Sequence, residues 1–279
     1  MDLSIIILNY KTKGLVKQCV KSIELLNLGL EYEIIVVDNA SDDGCLEMIR
    51  AIYLDNKDVN FKGYFKLIAS AENAGYTAGN NLGLKQSVGK YVMILNPDIT
   101  VLHGAIEIMI SFLEKYDDAG MVGPKLINPD GSVQMSCYHF PQWYMPVLRR
   151  TFIGRLPSAR KKMDEYLMRN WNHDKNISVP WLLGAGIMIK KEALQRVGLM
   201  DERFLMYYSD VDWCRRFWEN NYAVCYLSDA EMVHYHQRLS AETPGIASIF
   251  NRMTRIHITD AIKYYAKYLG AKEPQVKMM

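Results

Sequence analysis

The chain has 279 residues, 49% hydrophobic and 23% charged, the balance of a soluble globular protein with one large core or one domain plus an appendage. A formal net charge of +2 argues against a nucleic-acid partner. The five cysteines (Cys19, Cys45, Cys137, Cys214 and Cys225) show neither CxxC pairs nor zinc-type spacing, so they read as reduced thiols of a cytosolic protein. Residues 1–9 are too short and too quickly polar for a signal peptide, and no apolar run approaches the roughly 18 residues that span a bilayer.

Residues 3–8, LSIIIL, form an isoleucine-rich run that reads as a strand buried on both faces of a parallel sheet. Asn9-Tyr10-Lys11-Thr12 stands at its carboxyl end, and residues 15–26 then have helical spacing. Residues 33–37, EIIVV, are a second strand ending in Asp38-Asn39-Ala40-Ser41-Asp42-Asp43-Gly44. Strand, helix and strand in this order imply a right-handed parallel crossover. A dinucleotide-binding dehydrogenase would carry GxGxxG after the first strand, and NYKTKG stands there instead. Asp38 falls at the edge of the sheet where ligands bind. It reads either as an acceptor for a base or ribose, or as a cap for a helix starting near Asp43.

Residues 65–69 are a third strand, followed by ENAGYTAGNNLG at 72–83. Glycines there permit positive φ or close backbone approach, and asparagines offer donors and acceptors. The next helix is expected over 82–88. The chain is organised around the stretch that follows, GKYVMILNPDIT at 89–100. Its apolar run, 91–95, stops at Asn96-Pro97, because proline has no N–H for a ladder. Asp98 therefore sits just past a strand's carboxyl end, placed either to hold a divalent cation against a diphosphate or to cap the next helix.

Residues 105–116 read as an amphipathic helix and 121–127 as a short strand before an Asn128-Pro129-Asp130-Gly131 turn. Between 136 and 178 the pattern weakens. Arg149, Arg150, Arg155, Arg160, Lys161 and Lys162 form a basic cluster there, either a contact for an anionic membrane surface or a solvated face. A strand is expected at 187–189 and a helix at 191–197. Ser209 then reads as the N-cap of a helix whose first turn holds Asp210 and Asp212, where the dipole favours ionised acids and lowers their pKa. Asp212 lies about 200° around that helix from Asp210 and reads as a dipole partner. A strand follows at 223–227. His234 and His236 share a face if their segment is extended, which suits a pair of metal ligands. A last helix, 249–268, ends rich in lysine and tyrosine (Lys263, Tyr264, Tyr265, Lys267 and Tyr268), a second segment that could face anionic lipid.

Taken in order and spacing, several pieces resemble the family-two, GT-A-fold glycosyltransferases, within them the bacterial rhamnosyltransferase-like branch. They are ILNYKT, VVDNASDDG, NAGYTAGNNLG, YVMILNPD, PWLLGAGIMIKK, VGLMDERFLMYYSDVDWCRR and the histidine of VHYH, and they cover most of the chain. The resemblance implies an α/β, Rossmann-like fold with a mixed, mostly parallel central sheet flanked by helices. Residues 1–240 would form the catalytic domain, with a nucleotide-binding half at 1–100 and an acceptor half at 101–240, and 241–279 a helical extension. Asn9, Tyr10, Asp38, Asn73, Gly75, Asn81, Asn96 and Asp98 would bind the nucleotide sugar. Asn96 stands in place of the first acid of the family's Asp-x-Asp. Asp98 and His234 would hold Mg²⁺ or Mn²⁺. Trp181, Gly184, Ala185 and Gly186 would line the sugar and acceptor pocket. Asp210 would be the catalytic base, with Ser209 where the family usually has Glu.

The activity implied is inverting transfer in a single displacement. The donor would be dTDP-L-rhamnose first and a UDP-hexose second. The acceptor would be a cell-surface or lipid-linked glycan precursor, met in the cytoplasm at the inner face of the membrane. Two competitors remain. A sugar nucleotidyltransferase would want a glycine- and lysine-rich phosphate loop where NYKTKG stands. An inactive scaffold for polysaccharide assembly would have no need of Asp210.

Overall fold

The computed structural model describes residues 1–56, 61–150, 154, 156–235 and 251–277, without the side chains at 147, 149 and 150. The first half alternates strands and helices: β1 (Leu3–Asn9), α1 (Lys13–Leu26), β2 (Tyr32–Asp38), α2 (Cys45–Ile49), β3 (Tyr64–Ala69), α3 (Gly75–Gln86) and β4 (Tyr91–Leu95). Their order in the sheet is β3-β2-β1-β4, all parallel. Ile5, Ile6 and Ile7, Ile34 to Val37, and Val92 to Leu95 are buried. That is why these strands read as unbroken apolar runs: helices cover both faces of a parallel sheet.

The second half continues with β5 (Ile99–Val101), α4 (Ala105–Lys115), β6 (Ala119–Ile127), β7 (Val133–Gln134), β8 (Cys137–Tyr138), α5 (Met145–Arg150), α6 (Pro157–Tyr166), β9 (Ile177–Ser178), β10 (Trp181–Leu182), β11 (Gly186–Lys190) and α7 (Lys191–Val197). Then come α8 (Ser209–Glu219), β12 (Ala223–His234) and α9 (Arg252–Lys267). Beyond β4 the sheet runs β11-β6-β12-β5, with antiparallel pairs except β6 with β12. The expected mixed sheet is therefore parallel through its first half and mixed in its second.

Three expectations need correction. The glycine- and asparagine-rich stretch is helical from Gly75, well before residue 82. Its glycines serve close packing: a Cβ on Gly79 would meet Leu8 at 2.6 Å and one on Gly83 would meet Ile6 at 2.5 Å, so α3 lies tightly on β1. Only Gly75 within α3 needs a positive φ, of 90°. The break expected after residue 227 is an irregularity within one long strand, β12. Ser209 is not an N-cap: Tyr208 holds that place at φ 64°, and the Ser209 hydroxyl donates to the Met206 carbonyl at 3.4 Å.

α9 is capped by Asn251, whose side chain accepts from the Met253 N–H at 2.8 Å. The expected domain boundary at 240 and the expected ligand candidate His236 lie outside the described residues. Among the described residues no helix is long and apolar enough to cross a membrane.

Candidate active site

The sheet itself brings Asp98 and His234 together. β5 starts directly after Asp98 and pairs with the end of β12, His234 opposite Ile99. The Tyr235 N–H donates to the Asp98 carbonyl at 2.9 Å, which ties the two turns together. His234 Nε2 then faces Asp98 Oδ1 at 3.3 Å, while His234 Nδ1 lies 2.7 Å from Gln134 Oε1. With Gln134 accepting from Nδ1–H, Nε2 presents its lone pair toward the carboxylate, the tautomer that a metal ligand needs.

The residues fit a divalent cation. Two ligands on adjacent corners of an octahedron with arms of about 2.1 Å lie about 3 Å apart, close to the 3.3 Å between these atoms. Among the described residues no third His, Cys, Asp or Glu joins them. The remaining corners fall to ligand oxygens and water, as suits a cation that arrives with a diphosphate.

Next to this pair runs the Gly184-Ala185-Gly186 turn. The Asn96 N–H donates to the Ala185 carbonyl at 2.7 Å, and the Gly184 N–H donates to Asp210 Oδ2 at 3.2 Å. One short turn thus joins the Asn96-Pro97-Asp98 turn to Asp210. The Tyr76 hydroxyl donates to the Gly184 carbonyl at 2.5 Å. The space at Gly184 is tight: a Cβ there would sit 3.0 Å from the Tyr76 hydroxyl. Tyr76 was missed in the sequence because its stretch read as a loop.

Asp210 Oδ1 accepts from the Val211 N–H at 2.9 Å, so the start of α8 does hold it. Its pKa is nevertheless raised, to about 6, and not lowered as the helix end alone suggests. Desolvation by the surrounding protein is the largest cause, and the backbone donors at Gly184 and Val211 only partly oppose it. Such a carboxylate is largely ionised at pH 7 and a better proton acceptor than an ordinary aspartate.

Asp212 points elsewhere. It is 0% exposed and accepts from Arg216 Nε at 2.9 Å, from the Tyr268 hydroxyl at 2.8 Å and from the Lys267 ammonium. Its reading as a dipole partner understated a buried ionic hub that ties α8 to α9.

The other expected residues fall into two groups. Asn9 is buried, its Nδ2 lying 2.7 Å from Asp38 Oδ1 and 3.0 Å from Asp43 Oδ1, so it organises the loop and offers its side chain to no ligand. Asp38 keeps a half-buried carboxylate at the sheet edge, with Oδ2 accepting from the Ser41 N–H at 3.1 Å. Tyr10 is 42% exposed beside it. Asn39, which the sequence did not single out, donates to Asn73 Oδ1 at 2.9 Å and to the Gly75 carbonyl at 3.1 Å, tying β2 to the start of α3.

Asn81 departs from expectation. It is buried, and its amide bonds the Met200 backbone at 2.9 and 3.1 Å and Glu202 at 2.9 Å, so it braces α3 against residues 200–202. Trp181 is only 7% exposed, donates to the His139 carbonyl at 2.7 Å and stacks on Tyr138 with ring centroids 4.5 Å apart.

The family model described as "Glycosyl transferase family 2" matches residues 4–197. The chain belongs to glycosyl transferase family 2. A relative from Mycobacterium tuberculosis, N-acetylglucosaminyl-diphospho-decaprenol L-rhamnosyltransferase, is 25% identical over 76% of this chain and 69% of its own length. The Haloferax volcanii low-salt glycan biosynthesis hexosyltransferase Agl10 is 26% identical over 82% of this chain and 66% of its own length. Among solved structures, GalNAc-T7 with UDP, GalNAc and Mn²⁺ superposes with a TM-score of 0.61 at 15% identity, over 85% of this chain and 44% of that one. The fold of this transferase is GT-A. The matched family region stops before Asp210, His234 and α9, so the second half of the site rests on the geometry above.

Proposed function

We propose that this glycosyltransferase is an inverting, metal-dependent enzyme. Its donor is a nucleoside diphosphate sugar, dTDP-L-rhamnose first and a UDP-hexose second. Its acceptor is a hydroxyl of a cell-surface polysaccharide or lipid-linked glycan precursor. The observation that carries the reading is the Gly184-Ala185 turn, bonded to Asp210 on one side and to Asn96 on the other. It sets a proton acceptor beside an aspartate and histidine pair fitted to a cation.

Asp38 and Tyr10 hold the nucleoside, and the backbone at Asn73 and Gly75 lines the sugar. Asp98 and His234 hold the cation, which when bound neutralises charge on the departing diphosphate. The nitrogen ligand favours Mn²⁺ over Mg²⁺. Asp210 takes the proton from the acceptor hydroxyl as it attacks the anomeric carbon from the face opposite the leaving group. The name of the mycobacterial relative supports rhamnose and a polyprenyl-linked acceptor, and the Mn²⁺ and UDP of the GalNAc-T7 structure support the metal.

The test is thermal shift with a panel of nucleoside diphosphates and nucleotide sugars, with and without Mn²⁺. At 100 times Kd, a ligand stabilises the fold by about 2.7 kcal/mol, several degrees for a chain of this size. Asp98→Ala removes the Mn²⁺-dependent part of the shift and keeps the unliganded Tm, and His234→Ala weakens it more mildly. Unchanged nucleoside diphosphate affinity in Asp98→Ala with Mn²⁺ present would overturn the assignment.

The lysine- and tyrosine-rich end of α9 turns largely inward, with Tyr264 buried, Lys267 on Asp201 and Asp212, and Tyr268 on Asp212. The exposed side of α9 and the turn after it instead carry Arg252, Arg255, Ile258, Ile262 (64% exposed) and Leu269 (88% exposed). Arg160, Lys161 and Lys162 are exposed on α6, whereas the side chains of Arg149, Arg150 and Arg155 lie outside the described residues. Basic residues flanking isoleucines support peripheral contact with an anionic inner membrane face, each contributing on the order of 1 kcal/mol in low salt. Vesicles with anionic lipid are expected to bind the chain in a salt-sensitive way. Equal partitioning onto neutral vesicles would remove this contact.

A further inference from the structure

The chain from Phe204 to Tyr208 enters the site between its two halves. The Leu205 carbonyl accepts from the Tyr76 N–H at 2.8 Å and the Thr77 N–H at 3.4 Å, the first turn of α3. Three residues on, Tyr208 turns through a positive φ into α8 and Asp210. One segment therefore sets both the start of α3, where Tyr76 reaches Gly184, and the base.

What holds that segment comes from the C-terminal helix. Asp260 of α9 is 1% exposed, and its carboxylate accepts from the Leu205, Met206 and Tyr207 N–H groups at 3.1 Å each. Three consecutive N–H groups aimed at one buried charge are strong, geometrically demanding bonds. The same face of α9 supplies rings: His257 lies 4.7 Å from Tyr207 and 5.5 Å from Tyr208, and Tyr264 lies 5.3 Å from Tyr208, centroid to centroid. Lys263 donates to the Arg203 carbonyl at 2.6 Å, just upstream. α9 thus grips this one segment with a side-chain stripe three and four residues apart.

We infer that Asp260 is a positioning residue for the transfer reaction: through residues 205–207 it sets the placement of Asp210 and of Tyr76 at once, which makes α9 part of the catalytic apparatus. A misplacement of about 1 Å at a reacting group costs on the order of 10²-fold, so a tether this close in the chain to the base acts on rate. The kinetic consequence rests on the function proposed above, and the structural one does not.

The test is Asp260→Asn in the full chain, well below its melting temperature, with two readouts. In hydrogen exchange, the Tyr76 and Thr77 amides are expected to exchange at least about tenfold faster, while the β1 and β2 amides keep their protection. Unchanged protection at Tyr76 and Thr77 overturns the inference, because a role confined to α9 would loosen only 205–207. In kinetics, read as nucleoside diphosphate release from a nucleotide sugar with Mn²⁺, kcat is expected to fall about tenfold or more. In an Asp210→Asn background the same change is expected to cost less than about twofold, since both act through one group. Losses that multiply overturn the inference. If Asp260→Asn fails to fold, Asp260→Glu keeps the charge, moves the carboxylate by one methylene, and is expected to give the same two results. If the wild-type chain releases no nucleoside diphosphate from any donor, the proposed function falls and the exchange result alone decides the role of Asp260.

Discussion

Asp210→Asn is expected to lower kcat at least about 10²-fold and leave nucleoside diphosphate affinity within about twofold. The substitution keeps size and removes the carboxylate that accepts from the Gly184 N–H. The pH dependence follows from burial. A base works when ionised, and the Asp210 pKa is raised to about 6, so wild-type kcat falls as pH drops through 6. An ordinary aspartate would hold its rate down to about pH 4. Stability runs the other way. Between 3.8, the ordinary value, and about 6 the folded chain binds more protons at this site than the unfolded chain. The contribution of Asp210 to stability is therefore full below 3.8 and is lost as pH rises through 6. A rate profile flat to pH 4 would show that Asp210 is not the base.

Asp212→Asn is expected to lower stability by about 3 kcal/mol, on the order of 10 °C in Tm, with kcat of the folded protein nearly unchanged. The charge removed is fully buried and holds Arg216, Lys267 and Tyr268 together. Removing one member of such a group leaves cations short of a partner in a low-dielectric interior. The loss stays at about 3 kcal/mol for two reasons. Lys267 keeps Asp201 at 2.7 Å, and Arg216 keeps the Val197 and Leu199 carbonyls at 2.9 and 2.7 Å. Melting curves for both mutants, beside kcat, separate the two acids. A folded Asp212→Asn that loses kcat about 10²-fold while Asp210→Asn turns over near the wild-type rate would mean the roles are reversed.

The strands of the nucleotide-binding half were legible because burial on both faces leaves unbroken apolar runs, as in LSIIIL and EIIVV. Asp98 was legible because Pro97 ends its strand; the first-turn placement of Asp210 was read from Ser209 as an N-cap, and it holds although Tyr208 takes that place. α3 was not legible. Glycine there weakens helix propensity, and only the sheet surface beneath Gly79 and Gly83 shows why the helix wants residues without side chains. The approach of His234 to Asp98 depends on β5 pairing with β12, a long-range ladder with no local signature. Gln134 and Asp260 are distant in sequence from the groups they hold. The direction of the Asp210 shift was misjudged because a helix N-terminus is visible in a sequence while the protein packed around it is not.

The most direct test of the account is nucleoside diphosphate release from dTDP-L-rhamnose and UDP-hexoses by the full chain with Mn²⁺, compared among wild type, Asp98→Ala and Asp210→Asn. The account predicts release from at least one donor by the wild-type chain and loss of that turnover in both folded variants. Turnover that survives in both variants, or pyrophosphate release from a nucleoside triphosphate in its place, would contradict it.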